Sequence, residues 1–326
     1  MARLSLAIER WPIAGTFVIA RGAKTQAVVV VATITQGAFC GRGECVPYAR
    51  YGESPEGVLA TIESVRHEIE AGADRLQLQH LLPAGAARNA LDCALWDLEA
   101  KRTGLPAHRR AGLESLPVVT TAFTLSVDTP AGMAAAAEKV RERPLLKIKL
   151  AGEDDRARLA AVRAAAPTSA LIVDANEAWR PDELAANLAA CAEYGVRLVE
   201  QPLPAGEDAC LADVPHPVPI CADESVHDRA GLAALRGRYD AINIKLDKTG
   251  GLTEALALQA EAERLGFAIM VGCMVASSLA MAPALILAVK AQFVDLDGPL
   301  LLARDRPDGL VYEGSLIHPP QARLWG

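Results

Sequence analysis

Five ionisable residues recur through the middle of the chain: Lys149, Asp174, Glu200, Asp223 and Lys245, at intervals of 25, 26, 23 and 22 residues. Three carboxylates without histidine or thiolate partners suit a hard cation that takes oxygen ligands, magnesium being the natural choice, with its other positions open to water or substrate. A lysine on either side suits proton transfer, because burial and a neighbouring cation can lower a lysine's pKa towards the working range. Lys147 and the metal could both act on Lys149 in this way. Any one of these charges could simply mark where a strand surfaces, but an ordered run of three acids flanked by two lysines points to a site.

Residues so far apart need a frame that brings them together. From Leu116 onward, short apolar runs alternate with Ala/Leu-rich helical stretches, and strands are expected at 118–127, 145–150, 170–175, 196–201, 218–224, 241–246, 267–272 and 291–297. Each of the five charges falls at the C-terminal end of its strand, as in the stretch LVEQPLP, where Leu198 and Val199 lead into Glu200. Eight strands with helix-length spacers predict parallel βαβ units closed into an α/β barrel, whose active face is the one at those strand ends. Residues two apart in a strand share a face. Lys147 therefore goes with Lys149, Asn176 with Asp174, Asn243 with Lys245, and Asp295 with Asp297.

Residues 1–112 read differently. LSLAIERW, FVIARG, TQAVVVVATIT and GAFCGRGEC suggest an antiparallel meander, followed by helices from Ser54-Pro55 to about Glu70 and from Ala86 to Arg102 with Gly104 as the stop. The expected organisation is an α+β unit over 1–112, a barrel over 113–299, and a tail from about 300 to 326 that returns to the first unit. A net charge of -7 without a basic run argues against nucleic acid or an anionic membrane as partner. The uncharged stretch Ala268–Val289 is interrupted by Gly272, Ser277, Ser278 and Pro283, so it reads as a strand and a helix rather than a membrane span. Seven cysteines without a CxxC pair fit reduced thiols in a cytoplasmic enzyme, and six scattered histidines argue against zinc. Whether the chain forms a homo-oligomer is left open.

The motifs Lys147-Ile148-Lys149, Asp174-Ala175-Asn176, Glu200-Gln201-Pro202, Asp223-Glu224-Ser225 and Asn243-Ile244-Lys245, in this order and at barrel spacing, resemble those of the enolase superfamily in its muconate lactonizing branch. The resemblance spans nearly the whole chain. It implies a modified (β/α)7β TIM-type barrel under an N-terminal capping domain, and Mg²⁺ held by Asp174, Glu200 and Asp223. It implies further that Lys149 and Lys245 flank the α-carbon of a substrate carboxylate. One lysine would remove the α-proton, the metal would stabilise the enediolate, and the other would return a proton to the opposite face.

Phe293-Val294-Asp295-Leu296-Asp297-Gly298-Pro299 resembles the DxD signature of the dipeptide epimerases within that branch, whose acids hold the substrate's α-ammonium. The loop Ile19-Ala20-Arg21-Gly22-Ala23-Lys24-Thr25 resembles that of the L-Ala-D/L-Glu epimerases, and Arg21 or Lys24 would meet an anionic side chain; an ordinary solvated hairpin is the alternative. Tyr51, within Pro47–Glu53, together with Asn176, Cys273 and Met274 would line the pocket, and Gly52 could serve loop closure. Lys147 is placed with the substrate-binding residues. Lys248-Thr249-Gly250-Gly251 could cradle a phosphate, although a chain turn explains it better. The expected ligand is a dipeptide such as Ala-Glu. An N-acylamino-acid racemase or cycloisomerase of the same branch, and a non-catalytic metal-dependent binding protein, remain as rivals.

Overall fold

The computed structural model describes residues 2–326. Strands β1 (Arg3–Ile19), β2 (Gly22–Gln36) and β3 (Phe39–Cys45) form an antiparallel sheet in sequence order. The central strand is apolar on both faces and is used on both: Val30, Ala32 and Ile34 pack against the helices of this unit, whereas Val29 and Val31 join the core shared with the barrel. Helix Ala86–Thr103 lies on β3, where Gly41 and Gly43 leave room for it. A Cβ on Gly43 would overlap the Ala90 carbonyl oxygen. We expect Gly43→Ala to lower unfolding free energy by about 2 kcal/mol or more through overpacking against rigid backbone. Chemical denaturation measures this, and an unchanged midpoint would show that the helix can move away without penalty.

Ser54 caps its helix as expected, its Oγ accepting from Gly57 N at 3.0 Å, and Gly104 ends the long helix at φ 67°. The single helix expected up to Glu70 is instead two, Pro55–Glu63 and Arg66–Ala71. Near the break, the Thr61 and Ser64 hydroxyls donate to the Gly57 and Thr61 carbonyls, the kind of local bonding that competes with helix continuation. Helix Arg75–Leu81 was not foreseen, although its signal is in the sequence: Asp74 and Gln77 form a capping box.

After β4 (Val119–Thr120) come the barrel strands β5 (Phe123–Leu125), β6 (Leu145–Lys149), β7 (Ala170–Asp174), β8 (Val196–Glu200), β9 (Ile220–Ala222), β10 (Ala241–Ile244), β11 (Ala268–Gly272) and β12 (Phe293–Asp295). They form one eight-stranded parallel sheet in sequence order, the nearly closed barrel of a (β/α)7β fold under the N-terminal sheet. The strand expected over 118–127 is split, because β4 leaves the barrel to pair with the terminal hairpin β13 (Tyr312–Glu313) and β14 (Leu316–Ile317). Between β5 and β12 a seam replaces a ladder. It is held by Ala122 N donating to Val294 O at 2.8 Å, Leu296 N to Thr121 Oγ1 at 2.9 Å, and Thr124 N to Asp297 Oδ2 at 2.6 Å.

Strand alternation places the site. Ile172, Leu198, Cys221, Ala241 and Met270 fill the barrel interior. Two residues on, along the same inward faces, stand Asp174, Glu200, Asp223, Asn243 and Gly272. The last residues reach the first unit: Trp325 Nε1 donates to Cys93 O at 2.9 Å, and Arg42 Nη2 to Leu324 O at 3.0 Å. Ala268–Val289 comprises β11 and helix Ser278–Ala288, and among the described residues no helix is long and apolar enough to cross a membrane. All seven cysteines are free.

Candidate active site

The strand ends bring Asp174, Glu200 and Asp223 together. One oxygen from each lies within 4.8 Å of the others, and all three residues are at most 1% exposed. Around them stand four lysines. Lys149 Nζ is 2.6 Å from Asp174 Oδ2, and Lys245 Nζ is 2.6 Å from Asp223 Oδ2. Lys147 Nζ lies 2.6 Å from Glu200 Oε2, 2.7 Å from Asp295 Oδ2 and 3.3 Å from Asp174 Oδ2. Lys248 Nζ is 2.5 Å from Asp223 Oδ1.

Backbone and side-chain bonds hold the acids in place. Asp174 Oδ1 accepts from Asn176 N at 2.9 Å, and Glu200 Oε1 accepts from Asn243 Nδ2 at 2.7 Å. Gly272 on the next strand gives Asn243 its space, since any Cβ there would run into the Asn243 amide. Gln201, in the left-handed region at φ 34°, accepts from the backbone N–H groups of Asp223 and Ser225, tying the end of β8 to that of β9. Such backbone conformations in non-glycine residues are costly and cluster at functional sites. Asn176 and Glu177 share the feature at φ 46° and 68°.

Burial alone would push all three carboxyls up. For Asp174 the nearby Lys149 and Lys147 outweigh it, and for Asp223 Lys245 and Lys248 do so, so both are held below the usual range. Glu200 is pushed up to about 7, by burial and then by the charge of Asp174. Lys147 and Lys245 would be lowered by burial, yet their adjacent carboxylates hold both ammonium groups well above the usual value. The lowering expected from burial and a neighbouring cation is therefore not what Lys245 shows: Asp223, and after it Glu200, outweigh burial and stabilise its charged form.

The donor set fits Mg²⁺. It offers three buried hard oxygens, and although Lys147 is close to Glu200 Oε2, no hydrogen-bond donor among the described residues is aimed at that atom. Asp174, Glu200 and Asp223 are therefore the residues that would hold the ion.

The strand ends open into a cavity of about 740 Å³ that reaches up to the N-terminal unit. Its wall includes Lys149, Lys245, Asn176, Cys273, Met274, Asp295 and Asp297 from the barrel, with Arg21, Lys24 and Tyr51 from the loops above. Lys147 lies deeper, 1% exposed and enclosed by its three carboxylates. Asp295 Oδ2 is taken by Lys147 while Oδ1 has no partner among the described residues; Asp297 is pushed up to about 7 by burial and the charge of Asp295. Arg21 is engaged on all sides: with Glu224 at 2.5 Å, with Glu177 at 3.0 Å, with the Asn176 carbonyl and with the Tyr48 hydroxyl. Lys24 makes no ion pair among the described residues, and its ammonium stands 5.1 Å from the centre of the Tyr48 ring.

Sequence reasoning singled out neither Glu177 nor Arg50, which ties the loop over the cavity to Glu177 by bonds of 2.9 and 2.8 Å. Nor did it assign Glu224 a partner or Lys248 its place. Adjacency to Asp174-Ala175-Asn176 and Asp223 was the available signal for the two glutamates. For Lys248 there was none beyond its position three residues after Lys245.

Residues 1–112 match the model of the mandelate racemase/muconate lactonizing enzyme N-terminal domain, and residues 132–322 match the enolase C-terminal domain-like model. The chain is 49% identical over 312 residues to the L-Ala-D/L-Glu epimerase of Escherichia coli K12, covering 95% of this chain and 97% of that one. It is 47% identical over 300 residues to an N-acetyl-D-glutamate racemase of a Pseudoalteromonas species, covering 91% and 95%. A crystal structure of an Agrobacterium tumefaciens enolase family member with homology to dipeptide epimerases, with bound sodium and L-Ala-L-Glu, superposes with a TM-score of 0.99 at 57% identity, covering 100% of both chains. Solved dipeptide epimerases of this fold carry Mg with their dipeptides.

Proposed function

Because the chain belongs to the enolase superfamily, in its mandelate racemase/muconate lactonizing enzyme branch, we propose that it is a Mg²⁺-dependent dipeptide epimerase acting at the α-carbon of the C-terminal residue, with L-Ala-D/L-Glu as substrate. The observation that carries this reading is the placement of Lys149 and Lys245 on the two outer acids of the triad, both facing the cavity. One lysine takes the α-proton and the other delivers a proton from the opposite side, which inverts the centre. When bound, Mg²⁺ supplies positive charge that draws in the substrate carboxylate and offsets the further negative charge that group acquires as the proton leaves. Lys147, kept cationic by its carboxylates, holds Glu200 and Asp295 in position. Asp295 Oδ1 and Asp297 receive the substrate ammonium. Residues 1–112 act as the cap, 113–299 as the catalytic barrel, and the tail from about 300 returns to the cap. The setting is the cytoplasm, and self-association is compatible with this reading.

For the γ-carboxylate of glutamate the structure favours Lys24 over Arg21. Arg21 already meets two carboxylates, whereas Lys24 has none among the described residues. Lys24→Leu should lower kcat/KM for Ala-Glu about 10- to 100-fold, the value of a charge-assisted hydrogen bond. Activity on a dipeptide with an uncharged second residue should change little, and equal losses on both substrates would remove Lys24 from this role.

The deciding experiment is incubation of a dipeptide library with enzyme and Mg²⁺ in D₂O, followed by NMR detection of deuterium at the C-terminal residue's α-carbon. Exchange in Ala-Glu is expected; absence of exchange in every dipeptide would overturn the reading. N-acetylglutamate belongs in the same screen as a second reading, favoured by the neutralisation of Asp295 by Lys147, which leaves less anionic charge for an ammonium. Asp295→Asn with Asp297→Asn should abolish dipeptide turnover and spare N-acetylglutamate turnover.

A further inference from the structure

Lys248 opens the Lys-Thr-Gly-Gly sequence that the sequence alone could assign either to a phosphate cradle or to a turn. The side chain is 1% exposed, so it offers a phosphate no accessible ammonium. The short helix Leu246–Thr249 follows β10, with Lys245 as its N-cap and Gly250, at φ 72°, as its C-cap. One helical turn beyond Lys245, Lys248 reaches the same aspartate, Asp223, from its other oxygen. Its ammonium donates to Asp223 Oδ1 at 2.5 Å, to the Asp223 carbonyl at 2.5 Å, and to the Asn243 carbonyl at 3.0 Å.

An ammonium group has three protons, and all three are committed. Unlike Lys149 and Lys245, Lys248 does not belong to the cavity wall, so it is not placed to exchange a proton with a substrate. Its contacts instead fix the carboxylate in which it ends: with Oδ1 pinned from behind, Oδ2 is the oxygen that meets Lys245. The same ammonium anchors the carbonyl of Asn243, whose amide carries Glu200. One buried cation therefore braces the supports of two of the three acids. The turn that carries it is held from the capping side. Arg88 donates to the carbonyls of Thr249 at 2.7 Å and Gly250 at 3.1 Å, and Gly251, at φ 111°, leaves space that a Cβ would contest with the Asp92 side chain.

We infer that Lys248 is a positioning residue, which orients Asp223 and, through Asn243, Glu200, so that the two acids present fixed oxygens to the cation and to Lys245. This rests on the metal-site reading above, and its activity readout rests on the epimerase reading. The cation readout needs no substrate, so the two can fail separately.

The test compares wild type, Lys248→Met and Lys248→Arg, each confirmed as folded by circular dichroism. Two quantities are read: the Mg²⁺ concentration that gives a half-maximal thermal shift, and kcat and KM for Ala-Glu. In Lys248→Met the Mg²⁺ midpoint should rise about tenfold and kcat fall about 30-fold or more, with KM for the dipeptide within about threefold. Lys248→Arg, which retains a buried cationic donor, should recover part of both. A folded Met variant with both Mg²⁺ midpoint and kcat within twofold of wild type overturns the inference. So does competitive inhibition by inorganic phosphate in wild type that disappears in the variant. If the Met variant does not fold, Lys248→Gln, which keeps a polar side chain but removes the charge, decides in its place: a raised Mg²⁺ midpoint with a lowered kcat supports positioning, and wild-type values in both overturn it. Loss of the Mg²⁺ response with no dipeptide turnover even in wild type would leave Lys248 in its role and remove the substrate assignment instead.

Discussion

Lys149→Ala and Lys245→Ala each lower kcat for epimerisation by about 10³-fold or more. General acid–base catalysis by one placed group accounts for a factor of about 10² to 10⁴, and here each direction of the reaction needs both groups in turn. Either lysine removed leaves one face of the α-carbon without a proton donor or acceptor. The two variants should differ from each other in D₂O, where each retains exchange with one stereoisomer of the substrate and loses it with the other. That one-sided pattern assigns a lysine to each face. Near-normal turnover in both directions by either variant would mean that its lysine only balances charge next to Asp174 or Asp223. Thermal melting must accompany the kinetics, since each substitution strands a buried carboxylate that the lysine had paired at 2.6 Å.

Stripping Mg²⁺ with EDTA has an effect of the same order. An α-proton beside a carboxylate is far less acidic than a lysine can match, so charge stabilisation supplies most of the barrier reduction, several kcal/mol of it from the ion. Turnover should fall below about 1% and return when Mg²⁺ is added, each 1.36 kcal/mol being a tenfold change. The far-UV spectrum should not move, because the triad acids are also paired with four lysines. Glu200→Gln keeps the shape of the central acid and removes its charge. It should be inactive and should not recover at high Mg²⁺. Full activity in EDTA would eliminate the metal from the chemistry.

The barrel was legible because two signals coincide in it: short apolar runs at regular spacing, and a charge at the end of each. Strand alternation carried the inward faces correctly from Ile172 to Asp174 and from Asn243 towards Lys245. What failed was the information that depends on partners distant in sequence. The run at 118–127 reads as one strand, but Thr121 bonds outward to the tail and inward to the seam, so the chain changes sheet there. Arg21 and Lys24 are indistinguishable as two basic residues in one loop; only the approach of Glu177 and Glu224 separates an engaged cation from a free one. The burial of Lys248 was invisible for the same reason, since a lysine between an aspartate and a Thr-Gly-Gly turn looks solvated until Asp223 is placed beside it.

Asp297 contributes one oxygen to the joint between the first and last strands of the barrel. Under the proposed function the same carboxylate would also meet the substrate ammonium, so specificity and architecture would share one side chain. Natural or laboratory evolution that discards this acid to admit a new class of substrate loosens the cylinder in the same step, and variants of that kind should accumulate only in backgrounds that have first gained stability elsewhere.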